Sequence, residues 1–206
     1  MATDDVVRSQ RILLYGATFV VGAVVMGFEM IGSRYLYPYF GGGIGTWAGL
    51  ISTVLLALAI GYYAGGQIVD RWPSTYLIAI ATGGAAAYLV CVPLFADRIM
   101  NVTLTGVGDG PLGILVASSS LLVVPLSLLG TLSPVIVRLI TKSRDQVGSV
   151  SGVVYAVSTL GNVLGTLATA FILIPEIGSR AITYAFSVAL AMASVVAFSL
   201  SRGRRK

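Results

Sequence analysis

Leu112-Gly-Ile-Leu-Val-Ala-Ser-Ser-Ser-Leu-Leu-Val-Val-Pro-Leu-Ser-Leu-Leu-Gly-Thr-Leu-Ser-Pro-Val-Ile-Val137 contains no charged residue. As a helix its roughly 26 residues would be about 39 Å long, more than the ~30 Å hydrocarbon core of a bilayer. Working outward, five more apolar segments read the same way: Ile12–Ile31, Trp47–Val69, Tyr76–Phe95, Val147–Ile174 and Ala181–Leu200. Each has about 19 residues or more, enough to cross as a helix. The fold class expected is therefore an all-α membrane protein: six transmembrane helices in one integral membrane domain covering residues 1–206.

Six spans put both termini on one face, and the charges sort accordingly. Arg8, Arg11, Arg71, Arg138, Lys142, Arg144, Arg202, Arg204, Arg205 and Lys206 fall on the side of the termini, against Arg34, Arg98 and Arg180 on the other. Basic residues concentrate on the cytoplasmic side of membrane proteins, so both ends are expected inside, at a bacterial inner membrane.

Composition removes several function classes. Hydrophobic residues make up 56% and charged residues 10% of the 206, unlike soluble domains. The net charge of +5 sits at span boundaries and forms no patch interleaved with stacking aromatics, so no nucleic-acid partner is expected. No His is present, which removes the usual neutral-pH general base and the commonest metal ligand. Without His, an acid pair or a soluble pocket, neither enzymatic activity nor a metal or cofactor site is expected. Cys91 is alone, so no intrachain disulfide can form. The first apolar stretch exceeds a signal-peptide core and lacks a small-residue cleavage site, so it reads as a retained signal-anchor.

Local signals refine the helices. Pro38 and the run Gly41-Gly-Gly-Ile-Gly45 predict that the first helix stops or bends after Gly32-Ser33. Asp70-Arg-Trp-Pro-Ser74 predicts a tight turn, and Asp97–Pro111 a loop. Pro125 and Pro134 predict kinks in the fourth helix, with freed carbonyls taken by nearby Ser or Thr. Small residues recur every four positions at Ala57/Gly61/Gly65, Gly148/Gly152, Gly161/Gly165 and Ala185/Ala189/Ala193/Ala197. Such spacing predicts close helix packing. An inverted three-plus-three repeat would suit a transporter half, but no internal sequence match supports it.

Two stretches carry a resemblance. Glu29-Met-Ile-Gly-Ser-Arg-Tyr-Leu-Tyr-Pro-Tyr-Phe-Gly41 is followed by Thr46-Trp47 and by Gly61-Tyr-Tyr-Ala-Gly-Gly-Gln-Ile-Val-Asp-Arg71. With Leu132-Ser-Pro134, Arg138, Tyr155–Thr166, Pro175 and Gly178, the chain resembles the membrane region of bacterial proteins that fuse a major-facilitator-like domain to a spermidine synthase domain. The likeness implies a fold like half of a major facilitator transporter. In that family an aminopropyltransferase domain commonly follows the last helix; here Arg202-Gly-Arg-Arg-Lys206 stands in its place. The resemblance therefore implies either a stand-alone membrane domain or a separately encoded aminopropyltransferase chain as partner. Gly66-x-x-x-Asp70-Arg71 resembles the signature between the second and third helices of major facilitators, which implies a cytoplasmic charge cluster with Arg138. Trp72-Pro-Ser74 replaces the further glycine and basic pair of that signature. Gly106-Val-Gly-Asp-Gly110 resembles the nucleoside-binding loop of aminopropyltransferases but lacks a preceding strand, and reads as a plain turn.

Glu29 is the one acid clearly inside a span, about 26 Å along its helix from Ile12. With Tyr35, Tyr37, Tyr39 and Trp47 it would suit a small organic cation such as a polyamine, through charge pairing and cation–π contact. A structural pair with Arg34 and an interfacial aromatic belt explain the same residues. Asn162 sits mid-helix and requires an interhelical partner or a watery cavity.

Two functions follow. One is a transporter-like protein for a small solute, a polyamine or other organic cation, working in the lipid bilayer as a homodimer. The alternative is a non-catalytic anchor or scaffold for the separate aminopropyltransferase. Topology is testable first: reporter fusions at residue 206 and in the Asp97–Pro111 loop should give opposite locations, and one location for both would break the six-span reading.

Overall fold

The computed structural model describes residues 2–141 and 143–203, with side chains for 10–141 and 143–201. Of the basic residues expected at the cytoplasmic face, Lys142, Arg204, Arg205 and Lys206 lie outside the described residues. All described secondary structure is helical: α1 (Ala2–Phe40), α2 (Ile44–Arg71), α3 (Tyr76–Gly106), α4 (Pro111–Gly130), α5 (Leu132–Ile140), α6 (Val147–Ala168) and α7 (Ile174–Gly203). A 3-10 turn, Arg144–Gln146, precedes α6, and a π-helical stretch, Thr169–Leu173, joins α6 to α7. Five stretches are long and apolar enough to cross a membrane: Gln10–Phe40, Ile44–Arg71, Tyr76–Gly106, Pro111–Ile140 and Arg144–Ser201.

The last of these has 58 residues, about 87 Å of straight helix, far beyond any bilayer core. Gly178 interrupts it, with φ 75° and ψ 161°, a left-handed-side conformation that a side chain disfavours. The chain reverses there. Beyond Gly178, α7 runs antiparallel to α3: Arg180 meets Asp97, Ser187 Oγ donates to the Ala86 carbonyl, and Ser194 Oγ donates to the Ala79 carbonyl.

Several boundaries differ from the sequence expectation. Helix α1 passes Gly32 and Pro38 unbroken, because Pro38 removes only one amide bond close to the helix end. The end is set instead at Gly41, whose φ is 69° and whose amide donates to the Tyr37 carbonyl. Helix α3 runs through the expected Asp97–Pro111 loop as far as Gly106. Asn101 and Thr105 bond back to the Asp97 and Asn101 carbonyls there, and Gly108 at φ 97° makes the turn. The fourth apolar segment breaks at Thr131, between α4 and α5, while Pro125 lies inside α4. Pro134 has no amide for the Gly130 carbonyl, and its ring crowds that turn. Thr131 Oγ1 donates to the Leu128 carbonyl at 2.7 Å beside the break.

Glycines set the packing. Helices α1 and α6 lie parallel: a Cβ on Gly161 would clash with the Phe19 carbonyl oxygen, and one on Gly22 with that of Ser158. Helices α2 and α4 repeat this arrangement: a Cβ on Gly61 would clash with the Ser127 carbonyl oxygen, and one on Gly130 would sit 3.2 Å from that of Leu58. Matching Phe19, Gly22 and Ala23 to Ser127, Gly130 and Thr131, and Leu58, Gly61 and Gly65 to Ser158, Gly161 and Gly165, interchanges the two crossings. α4 runs with α2 and so against α1, which makes the two crossings inverted counterparts related by a local two-fold. The sequence conceals this because only the crossing points demand small residues.

One expected stripe makes no contact and another packs only in part. Gly148 and Gly152 have open space where a Cβ would stand, and Ala185 is exposed. Further along, Ala189 and Ala193 line an apolar groove against Leu13, Gly16 and Ala17 of α1, and only Ala197 is buried. Overpacking a tight crossing costs about 1–3 kcal/mol, roughly 2–12 °C of melting temperature at this size. Gly61→Leu and Gly161→Leu should therefore melt several degrees lower in detergent, and Gly152→Leu should melt with the parent. Equal melting of all three would refute the crossing geometry.

Candidate functional site

Helices α2 and α6 are both exposed along one side. Each turns its small face to a partner, α2 to α4 and α6 to α1, and leaves the opposite face open. Three cavities follow one another along the cleft between them. The one at the Arg71 end, about 510 Å³, is lined by Gly66, Asp70, Arg138, Thr141, Arg144 and Tyr155 among others. At the Phe40 end a second, about 340 Å³, includes Ser33, Arg34, Tyr37, Thr46, Trp47 and Ala170. Between them lies a constriction of about 30 Å³, bounded by Gly22, Tyr62, Gly130, Ser133, Ser158 and Asn162.

The two-fold that interchanges the crossings also interchanges the vestibules. Met30, Ser33, Trp47 and Ala170 at the Phe40 end take the places of Arg138, Thr141, Val147 and Asp70 at the other. At the constriction, Asn162 Oδ1 is buried without a hydrogen-bond partner and faces Gly22, where a Cβ would be 3.0 Å away. The space suffices for a water, which would satisfy that oxygen.

Of the expected charge cluster, Gly66, Asp70 and Arg138 do meet, with Asp70 and Arg138 3.8 Å apart in an exposed ion pair. Arg71 is exposed at the end of α2 and lines none of the three cavities. The expected acid-and-aromatic constellation is dispersed. Glu29 is buried, 7% exposed, on the α1 face of Gly22, Val25 and Ser33, and forms no ion pair with Arg34. Tyr35 is buried toward α7, its hydroxyl 3.3 Å from Thr183 Oγ1. Tyr39 points to Asp97, which Arg180 holds at 2.6 Å. Of that set only Tyr37 and Trp47 share a cavity, and the charged group beside them is Arg34.

Sequence reasoning missed Arg144, Tyr62, Tyr155, Ser133 and Ser158 as lining residues. They come from α2, α5, α6 and the turn before α6, and no shared spacing in the sequence marks them. No family model, curated protein or solved structure matches the chain.

Glu29 makes a direct prediction. Removing one partner of a buried ion pair costs about 3–5 kcal/mol, whereas neutralising a buried carboxylate with no cation partner removes only a desolvation cost. Glu29→Gln should therefore melt at the parent temperature or above it. A fall of ten degrees would reveal a cation partner for Glu29.

Proposed function

We propose that the chain is a transporter-like membrane protein of six spans that passes a small solute along the α2–α6 cleft, as a homodimer in a bacterial inner membrane. The observation that carries this is the cleft itself: two vestibules at opposite ends, related by an internal two-fold, meeting at a narrow polar constriction. An anchor needs no such path. Inverted repeats with a site at their interface are the usual construction of secondary transporters.

The six spans are the helices α1, α2, α3, α4 with α5, α6 with the π-helical stretch, and α7 beyond Gly178. Charge bias assigns the Arg71 end to the cytoplasm and the Phe40 end to the outside. The homodimer follows from the cleft's floor. Asn162, Ser133, Ser158, Asp70 and Arg138 line a face that opens sideways, and polar groups are costly against acyl chains. A second copy laid over it would enclose the path. The half-buried Gly66 and the exposed Gly148 and Gly152 have open space where a Cβ would stand and let that copy approach closely.

The test is flux. Purified protein in sealed vesicles should accumulate at least one labelled solute from a panel of amines, carboxylates, phosphates and sugars, and light scattering in detergent should give twice the 21.4 kDa chain mass. No flux for any of them would leave the scaffold reading in its place. Full flux from a monodisperse monomer would remove the homodimer alone.

A further inference from the structure

The charges in the cleft point the opposite way from the polyamine expected from sequence. Arg34 is the one charged side chain lining the Phe40-end vestibule. Arg138 and Arg144 line the other, where the single carboxylate, Asp70, already pairs with Arg138. Arg34 and Arg144 have no hydrogen-bond or ion-pair partner among the described residues. Glu29 lines neither vestibule. Three arginines therefore face one aspartate, and each mouth keeps a guanidinium free. Low-dielectric walls focus such a field along a cleft, drawing in anions and repelling cations.

We propose that the solute is a small organic anion, a carboxylate or phosphate carried on an apolar or aromatic body; this rests on the transporter reading above. A free guanidinium fork matches either anionic group with paired, charge-assisted hydrogen bonds. The apolar part is read from the walls: Tyr37 and Trp47 stand beside Arg34, and Val147 and Tyr155 stand beside Arg144. Both mouths thus offer the same pairing of one free arginine with an aromatic surface. That is the recurrence a solute recognised at both ends would require. At about 340 Å³ the smaller vestibule has room for a single-ring solute.

The experiment measures binding and flux separately. Protein in an uncharged maltoside detergent is melted with phenyl phosphate, indole-3-acetate, phenethylamine or spermidine at matched ionic strength, and with phosphatidylglycerol in a separate arm. One or both aromatic anions should raise the melting temperature by several degrees, and the amines should not. The variant Arg34→Gln/Arg144→Gln should melt with the parent when no probe is added and bind the anion at least about tenfold more weakly, since two charge-assisted contacts are lost. Stabilisation by the amines alone, or by phosphatidylglycerol alone, would overturn the anion assignment. So would undiminished anion binding by the double variant; if that variant fails to fold, each single Gln variant is read by the same criterion. Labelled probes in vesicles then separate the two readings. Anion binding without flux keeps the anion site and removes transport, whereas amine flux without anion binding keeps transport and removes the anion.

Discussion

Backbone-to-backbone contact at two glycine crossings is the constraint on which this bundle depends. Between helices in lipid there is no hydrophobic drive, because acyl chains are as apolar as leucine, so association rests on close van der Waals packing. Gly22, Gly161 and Gly165 bring α1 and α6 to that distance, and Gly61, Gly65 and Gly130 do the same for α2 and α4. Any side chain there would meet a carbonyl. Once these pairs are fixed, α2 and α6 have used their small faces, and a cleft between them is the geometric remainder.

The polar contacts are of another kind. Asp97–Arg180 ties α3 to α7 near one end of the bundle, and Asp70–Arg138 ties α2 to α5 at the other, both exposed. Exposed pairs are worth only about 0–1 kcal/mol, so they set register and end-to-end orientation more than stability. Inside the bundle, Thr53 and Ser118 share a hydrogen bond of 2.8 Å across α2 and α4, about two helical turns from Gly61. Some other buried hydroxyls return to their own helix, as Thr18 and Thr82 do, while Ser187 crosses from α7 to α3.

Much of this was legible in the chain. Apolar length located the helices, and the spacing at Gly61/Gly65 and Gly161/Gly165 marked both crossings, because each physical demand falls on a single residue type. The helix ends were less legible. Side-chain bonds from Asn101 and Thr105 carry α3 past a polar stretch that reads as loop, and Pro38 near a terminus costs too little to end α1. Gly148 and Gly152 show the limit of a spacing rule: the same four-residue repeat marks a contact only where a partner helix lies opposite. The site was least legible of all. Tyr35, Tyr37 and Tyr39 are close in sequence, yet helix geometry points them about 200° apart at each step of two residues, toward α7, a vestibule and Asp97. Proximity in sequence along a helix is poor evidence of convergence.

The internal two-fold is obeyed by the backbone crossings and broken by the vestibule charges, and that difference bears on mechanism. Met30 and Ala170 occupy at the Phe40 end the places that Arg138 and Asp70 hold at the Arg71 end, so an ion pair spans only one of the two mouths. If the path opens alternately at either end, the two states are unequal by whatever that pair contributes. For a long, exposed contact the contribution is small, and it grows when a second copy excludes water around it. The bias therefore resides in a contact between α2 and α5 rather than in the glycine crossings, which are common to both halves. A Coulombic contact weakens gradually as charges separate, whereas a glycine crossing cannot slide without steric clash. On the proposed transporter reading, the crossings would therefore be fixed pivots within the unit, and the ion pair the element whose distance can change.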